Sequence, residues 1–565
     1  MLRILYGTAG TGKSAAIMDE IRRGADSGER YILLVPEQYS HEAERELCAV
    51  CGDGLSLYAE VLSFTGLARE ISSECGGAAN EYLDKGGRLL CMALAADGLY
   101  SRLRVYGAAR RKAELQTMLL GAVDEFKSAC VTGERLMQAS EACEGALGDK
   151  LHDLGLILEA YDGVVANGRA DPYDRLSVLA QQIGQCSMSE RTHVFVDGFT
   201  DFTAQERRVL EALLLKGVRL TVCLGCDELH GGSEVFALSR ITASALLKFA
   251  ADNGVKAQTE RRDGESTKAK PLGEFCENMF SYRAVEAGDA QGRIKIISAA
   301  DTNAECEFAA AEAVSLVRDT GCRWRDIAVC AKGFDDYRLP LESAFSRFGA
   351  PIYTARKADM LSKPLPMLIE SAYEIILGGW EADDVFDYLR TGFGGLNTDE
   401  CDELENYVFM WQLHGSAWTR DEPWRLHPDG YGKQPDDTSI QKLEHINLLR
   451  ETARRPLMRF AENAAAATTA TEQAQALASL FEDLHLADKL QARAEALEKD
   501  GRAAAAQEYA QLWDITVGAL EQCAAVLGDT PADAEYFGRL FSLMLSRYDI
   551  GTIPASLDCV TAGEM

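Results

Sequence analysis

A short apolar run of six residues opens the chain, and then comes Gly7-Thr8-Ala9-Gly10-Thr11-Gly12-Lys13-Ser14, a full match to G-x-x-x-x-G-K-[ST]. No other feature constrains the fold as tightly. Leu2, Ile4 and Leu5 read as a buried strand, and Ala15-Ala16-Ile17-Met18 as the first turn of a helix. A strand, a glycine-rich loop and a helix in that order form a phosphate cradle. The glycines at 7, 10 and 12 permit positive φ, so successive backbone N–H groups converge on phosphate oxygens with no β-carbon in the way. Lys13 then reaches the β- and γ-phosphates, Ser14 holds Mg²⁺, and Gly7, Gly10, Thr11, Gly12, Lys13 and Ser14 are the expected nucleotide-binding residues. ATP and Mg²⁺ are the expected cofactors.

A second element belongs with the first. In His193-Val194-Phe195-Val196-Asp197-Gly198-Phe199-Thr200-Asp201 an apolar strand delivers a carboxylate at its C-terminal end, the position from which a strand supplies a Mg²⁺ ligand. Asp197 fits that role. The same residue could instead cap the helix that starts near Thr203-Ala204-Gln205-Glu206, and the sequence leaves both open.

A chain of 565 residues exceeds what a single core supports, so several domains are expected. Hydrophobic residues at 47% and charged residues at 26% are those of a globular protein, no apolar run reaches the length of a membrane span, and the N-terminus reads as a strand rather than a signal peptide. A cytoplasmic protein without membrane contact is the expectation. The 16 cysteines are scattered through apolar segments, which suits buried thiols. Cys48/Cys51 and Cys223/Cys226 have C-x-x-C spacing, but neither has a second pair or histidine set nearby, so packing is favoured over zinc. A net charge of −30 argues against a nonspecific nucleic-acid coat, though not against a local basic groove such as Arg102, Arg104, Arg110, Arg111 and Lys112, which alone reads as a solvated helix face.

Along the chain, 1–70 alternates strand and helix, with Tyr31-Ile32-Leu33-Leu34-Val35 ending at Pro36 and a polar helix over 41–50. Residues 80–185 turn helical, strands resume at 193–197 and 220–224, and the polar run 256–274 reads as a linker. A second α/β unit starts with a strand at Ile294-Lys295-Ile296-Ile297, continues through a helix over 305–318 and reaches a strand at Ile327-Ala328-Val329-Cys330. Helices dominate from 365 to about 545, including the Ala-rich stretch 461–480. Trp411, Trp418 and Trp424 with Tyr407 and Phe409 suit packing between helices better than base stacking.

Motifs in this order resemble superfamily 1A helicases, and in detail the AddB family, one of the two components of bacterial AddAB helicase-nucleases. The phosphate loop is followed by Leu33-Leu34-Val35-Pro36-Glu37-Gln38-Tyr39-Ser40, whose Val-Pro-Glu-Gln run is the most specific match, and by Glu42-Ala43-Glu44-Arg45-Glu46-Leu47. Ser63-Phe64 resembles a helicase segment that contacts single-stranded DNA. Further matches are Val196-Asp197-Gly198-Phe199 with Phe202-Thr203, Asp326-Ile327-Ala328-Val329, Ser362-Lys363-Pro364-Leu365-Pro366, Tyr388-Leu389-Arg390-Thr391-Gly392 and Glu405-Asn406-Tyr407-Val408. The resemblance implies an α/β fold of two RecA-like P-loop NTPase lobes, each with a mainly helical insertion. The first lobe would comprise 1–70 and 190–285 with an insertion at 71–189, and the second 290–375 and 550–565 with an insertion at 376–549. It also implies a heterodimer with an AddA-type motor and nuclease partner, and single-stranded DNA and duplex ends as substrates. The AddB component would guide a strand and scan it for a recombination hotspot during double-strand break repair.

Three departures from motor helicases matter. Their pattern Asp-Glu-x-Gln-Asp places a catalytic glutamate where this chain has Gly198 and a glutamine where it has Thr200, so ATP binding with poor hydrolysis is expected and the catalytic residue is unknown. Six residues before Gly7 leave no room for an adenine-reading glutamine segment, and Lys332-Gly333 stands where motor relatives carry an arginine. Asp558-Cys559-Val560-Thr561-Ala562-Gly563-Glu564-Met565 resembles a point midway along the family's chain, which puts the nuclease and its 4Fe–4S cysteines beyond residue 565. This fragment is therefore expected to show neither helicase nor nuclease activity alone. Two competing classes are a P-loop kinase of small metabolites, against which the second α/β unit argues, and a structural scaffold with a vestigial loop, which nucleotide binding would exclude.

Overall fold

The computed structural model describes every residue except 53, 77–81, 110–111, 167–168, 264–269, 279–291, 355–356, 552–557 and 565. The chain divides into two compact units, one of residues 1–83 and 94–296 and one of residues 84–93 and 297–565.

The first unit is built on a six-stranded sheet. Its strands are β1 (Leu2–Gly7), β2 (Arg30–Leu34), β3 (Ala59–Leu62), β4 (Thr192–Val196), β5 (Arg219–Gly225) and β6 (Ala257–Arg261), in the order β3-β2-β4-β5-β1-β6. Every pairing is parallel. Parallel strands need crossover helices, which cover both faces of the sheet and force near-continuous apolar strand sequences. The alternation of side chains then sorts each strand between two cores. Leu5, Tyr31, Leu33, Phe195 and Cys223 pack with Ile17, Met18 and Ile21 of helix α1 (Lys13–Arg23) and Ala43 and Leu47 of helix α2 (Ser40–Cys51). Leu2, Ile4, Ile32, Leu34, Val194, Val196, Leu220 and Val222 pack on the opposite face with helix α3 (Phe64–Glu74) and the helices Ala204–Leu215 and Ala237–Asp252. The segment between β3 and β4 is helical, with long helices at Ala113–Ser128 and Ala146–Val165.

The second unit has a smaller parallel sheet of β7 (Ala328–Ala331), β8 (Ile352–Thr354) and β11 (Val560–Glu564), in the order β7-β11-β8. A separate antiparallel pair joins β9 (Lys357–Asp359) to β10 (Asp549–Gly551). The strand at 560–564 is thus the central one, and Val560 and Ala562 share a core with Phe334, Leu341 and Phe345. Helices fill the sequence from Pro364–Gly378 to Ala534–Leu545.

Two sequence expectations fail here, and a third, helix over 461–480, is met with a break. The run 256–274 is not simply a linker, because 257–261 forms β6 and Lys270–Asn278 is helical. Ala-Gln-Thr-Glu-Arg carries no apolar alternation because β6 is an edge strand with mostly exposed side chains, held to β1 by its backbone. Ile294 to Ile297 form no strand; Ile296 is 94% exposed, and strand propensity finds no pairing partner for it among the described residues. The Ala-rich stretch 461–480 is two helices, Asp437–Ala466 and Ala470–Asp483. Thr469 and Glu472 form a capping box that starts the second.

Candidate nucleotide-binding site

Because the six strands are parallel, their C-terminal ends share one edge, and the loops that leave them converge there. That edge carries residues 7–14 after β1, Pro36 after β2, Ser63 after β3, Asp197 after β4 and Arg262 after β6. The phosphate loop is drawn tightly. A Cβ on Gly7 would stand 2.6 Å from the carbonyl oxygen of Arg262, whereas one on Gly12 would meet nothing within 4 Å. Gly10 and Gly12 have φ of +84° and +77°, and Gly12 caps α1 in the left-handed region. Thr11 Oγ1 donates to the Thr8 carbonyl at 2.9 Å. Lys13 Nζ donates to the carbonyls of Gly7 and Thr8 at 2.8 and 2.7 Å, which draws the ammonium over the loop. A phosphate oxygen entering the cradle competes with those two carbonyls for the same cation. Ser14 is exposed in the first turn of α1, on this edge.

Asp197 lies two strand spacings from β1 across β5, about 10 Å. Its role as a helix cap falls away, since the helix Ala204–Leu215 is capped by Thr203, whose hydroxyl and backbone N–H form a reciprocal box with Glu206. The Asp197 backbone N–H donates to the Leu34 carbonyl at 3.0 Å, and Oδ1 accepts from the Gly198 N–H at 2.9 Å. Between carboxylate and lysine sits Cys223 of β5. Burial pushes its thiol well up, Asp197 adds to that by charge and a hydrogen bond, and Lys13 acts in the opposite sense. The strand order β4-β5-β1 sets Asp197 and the loop that carries Lys13 on the same edge, on either side of β5. These residues fit a Mg²⁺-bound triphosphate, with a cation, a backbone cradle, a hydroxyl and a carboxylate on a common edge.

Position 198, where the resemblance expects a glutamate, is tight for any side chain. Gly198 has φ +83°, and a Cβ there would come within 3.1 Å of Pro36 Cδ. Pro36 belongs to the Val-Pro-Glu-Gln run, and Tyr39 at the end of that turn has its phenol pushed up by burial and by the charges of Glu46, Glu42 and Asp197. The turn and the carboxylate are neighbours.

Ser63 and Phe64 are placed differently from the DNA contact expected of them. Ser63 is 7% exposed, and its hydroxyl is the N-cap of α3, accepting from the Gly66 N–H at 3.0 Å. Phe64 is 5% exposed and meets Phe199 and Phe202 edge-on, with centroids 5.5 and 6.3 Å away. Both side chains shape the strand-end segment from within. Of the basic cluster, Arg110 and Arg111 lie outside the described residues, and Arg104 pairs with Asp149 at 2.9 Å. Asp153 holds the segment, accepting from the N–H groups of Arg104, Val105 and Tyr106. Trp418, Trp424 and Tyr407 are interior, and the Arg450 guanidinium lies 5.0 Å from the Trp424 ring while donating to the carbonyls of Ala417 and Trp418. That cluster is packing. Among the described residues no group of three or more His, Cys, Asp or Glu side chains is arranged to hold a metal ion, and no helix is long and apolar enough to cross a membrane.

Cys223, Pro36 and Arg262 were not singled out as site residues by the sequence. The C-x-x-C spacing drew attention to Cys223 for metal binding, and Arg262 fell within the supposed linker.

Residues 4–273 match the family model described as ADDB, N-terminal. The chain is similar over its whole length to the B component of the ATP-dependent helicase/deoxyribonuclease of Desulforudis audaxviator, at 33% identity over 590 residues and 51% of that protein. Its counterpart in Acetivibrio thermocellus is 30% identical over 584 residues, 100% of this chain and 50% of the relative. That of Caldanaerobacter subterraneus is 30% identical over 568 residues, 99% of this chain and 49% of the relative. The chain spans about half the length of these curated relatives.

Proposed function

We propose that this chain, whose residues 4–273 belong to the AddB N-terminal family, is the helicase-like part of an accessory component in a heterodimeric ATP-dependent helicase-nuclease that processes DNA ends for recombinational repair. Its two units are read as two RecA-like lobes with helical insertions. The observation that carries the nucleotide part is the common C-terminal edge of the parallel sheet, which holds residues 7–14 after β1 and Asp197 after β4, with β5 between them. Lys13 neutralises phosphate charge, loop N–H groups bind phosphate oxygens, and Ser14 and Asp197 hold Mg²⁺, which supplies further charge neutralisation when bound.

Hydrolysis is the weak point of this site. An attacking water needs a proton acceptor, and Gly198 supplies none. ATP binding then serves as a conformational or assembly signal more than a source of work, and unwinding belongs to the AddA-type partner. Single-stranded DNA is read as passing over the strand-end edge, where Ser63 and Phe64 set the shape of the segment, while hotspot scanning is the task of the assembled heterodimer. Mixing the pure chain with ATP, Mg²⁺ and linear duplex DNA tests the accessory role. Turnover far below the ~1–10³ s⁻¹ usual for enzymes, with no single strands released, is expected. Brisk DNA-stimulated turnover abolished by Lys13→Ala, or unwinding by this chain alone, would overturn it.

A further inference from the structure

The strand order decides on which side of the phosphate loop each end of a nucleotide falls. From one edge the sheet runs β6, β1, β5, β4. Asp197 ends β4, so a triphosphate lying along the loop with its metal-bearing terminal phosphate toward Asp197 sends its base the other way, across β1 toward β6. Arg262 stands at that end. Its N–H donates to the Tyr6 carbonyl at 2.8 Å, and its own Cβ lies 3.5 Å from where a Cβ on Gly7 would be.

The side chain is also on the appropriate face. Alternation along the strand puts Arg262 with Glu260, whose carboxylate is 3.3 Å from Arg262 Nε and 3.8 Å from Arg3 Nη1. Arg3 in turn bonds Glu20 of α1 at 2.5 Å. The row Arg3, Glu260, Arg262 therefore lies on the α1 side of the sheet, over which the phosphate loop folds. Arg261 alternates to the other side and is taken up by Glu228 and Asp263, each at 2.6 Å. Arg262 stays 43% exposed, in an ion pair with Glu260 through Nε. A guanidinium is planar and weakly hydrated, and it stacks on aromatic faces, which an ammonium does poorly.

We propose that Arg262 is the base-side contact of this site, its guanidinium stacking on the purine of the bound nucleoside triphosphate. The proposal rests on the reading of residues 7–14 as a live phosphate site, and it makes Glu260 the residue that orients the stacking group. Stacking recognises a π-face and not a hydrogen-bonding edge, so adenine and guanine should depend on Arg262 alike.

Isothermal titration of the whole chain with Mg²⁺ and three probes, ATP, GTP and inorganic tripolyphosphate, tests it. Arg262→Ala should weaken ATP and GTP by about tenfold each and leave tripolyphosphate within about twofold. Arg262→Lys, which keeps the charge and loses the plane, should behave like Arg262→Ala, whereas Lys13→Ala should weaken all three probes. An unchanged ATP affinity in Arg262→Ala would overturn the proposal and leave the phosphate site standing. Equal losses for ATP and tripolyphosphate, or rescue by Arg262→Lys, would make Arg262 a phosphate contact and also overturn it. Failure of the unaltered chain to bind either ATP or tripolyphosphate would remove the phosphate site itself and this proposal with it.

Discussion

Restoring the glutamate that motor helicases carry, by Gly198→Glu, should damage the fold without reviving hydrolysis. Gly198 sits at φ +83°, a conformation costing a residue with a β-carbon about 1–2 kcal/mol. The added Cβ would also come to 3.1 Å from Pro36 Cδ, closer than ordinary contact, and a proline ring has little freedom to withdraw. Together the two effects are expected to cost about 2–3 kcal/mol. Relaxing the strain means rotating the backbone out of the left-handed region, which withdraws the N–H that Gly198 gives to Asp197 Oδ1 and so disturbs the expected metal ligand. Gly198→Ala isolates the steric part, because it adds the Cβ without a carboxylate. Thermal unfolding followed by circular dichroism should show both variants losing several degrees in the first transition. Steady-state ATPase assays with linear DNA should show neither reaching motor-like rates. Two variants as stable as the unaltered chain would refute the steric argument, and brisk turnover by Gly198→Glu would refute the claim that the position is too tight for a working glutamate.

Other elements give equally definite expectations. Lys127 is 7% exposed and bonded to Asp162, Asp171 and Asp174 at 2.9, 3.1 and 2.7 Å, so Lys127→Met takes the cation from the buried Asp171 carboxylate, which keeps its hydrogen bonds from the Tyr161 hydroxyl and the Tyr173 N–H, and should cost about 3 kcal/mol in chemical denaturation. His193 has its imidazole pushed down to about 4 by burial and by the charges of Arg3 and Arg219. The unfolded chain therefore takes up a proton that the folded chain refuses, stability should fall as pH drops from about 6.5 to about 4, and NMR should find His193 neutral over most of that window, titrating only near its lower end. Burial works against the Asp153 carboxylate, but the N–H groups of Arg104, Val105 and Tyr106 outweigh it and hold its carboxyl below the usual range. Its contribution is present at neutral pH and lost as pH falls through that lowered value, so Asp153→Asn should lower stability at pH 7 and flatten the acid limb below about pH 4.

The elements legible in the sequence are those whose side chains carry the cause of the structure. β1, β2, β4 and β5 are apolar because both sheet faces are covered, and the phosphate loop declares itself through glycines that its geometry requires. β6 is illegible for the converse reason: its pairing to β1 uses only backbone groups, and Ala257 to Arg261 are largely exposed. The isoleucines at 294, 296 and 297 mislead because strand propensity describes a fit to neighbours, and none of the described strands pairs with them. Ser63 matched a DNA-contacting pattern, yet its hydroxyl is spent on the N-terminus of α3, and a cap and a ligand contact look alike in sequence. The Pro36–Gly198 contact and the meeting of Lys13, Cys223 and Asp197 depend on the order of strands, which local patterns do not encode.

If residues 7–14 and Asp197 form one working nucleotide site, loop and carboxylate must each contribute to ATP affinity in a distinct way. Equilibrium titration of the purified chain with ATP, with and without Mg²⁺, measures this when repeated on Lys13→Ala and Asp197→Asn. The unaltered chain should bind ATP, Lys13→Ala should lose most of the affinity while keeping its circular dichroism spectrum, and Asp197→Asn should lose the part that depends on Mg²⁺. Equal affinity in the unaltered chain and Lys13→Ala, or no binding by either, would contradict a working site.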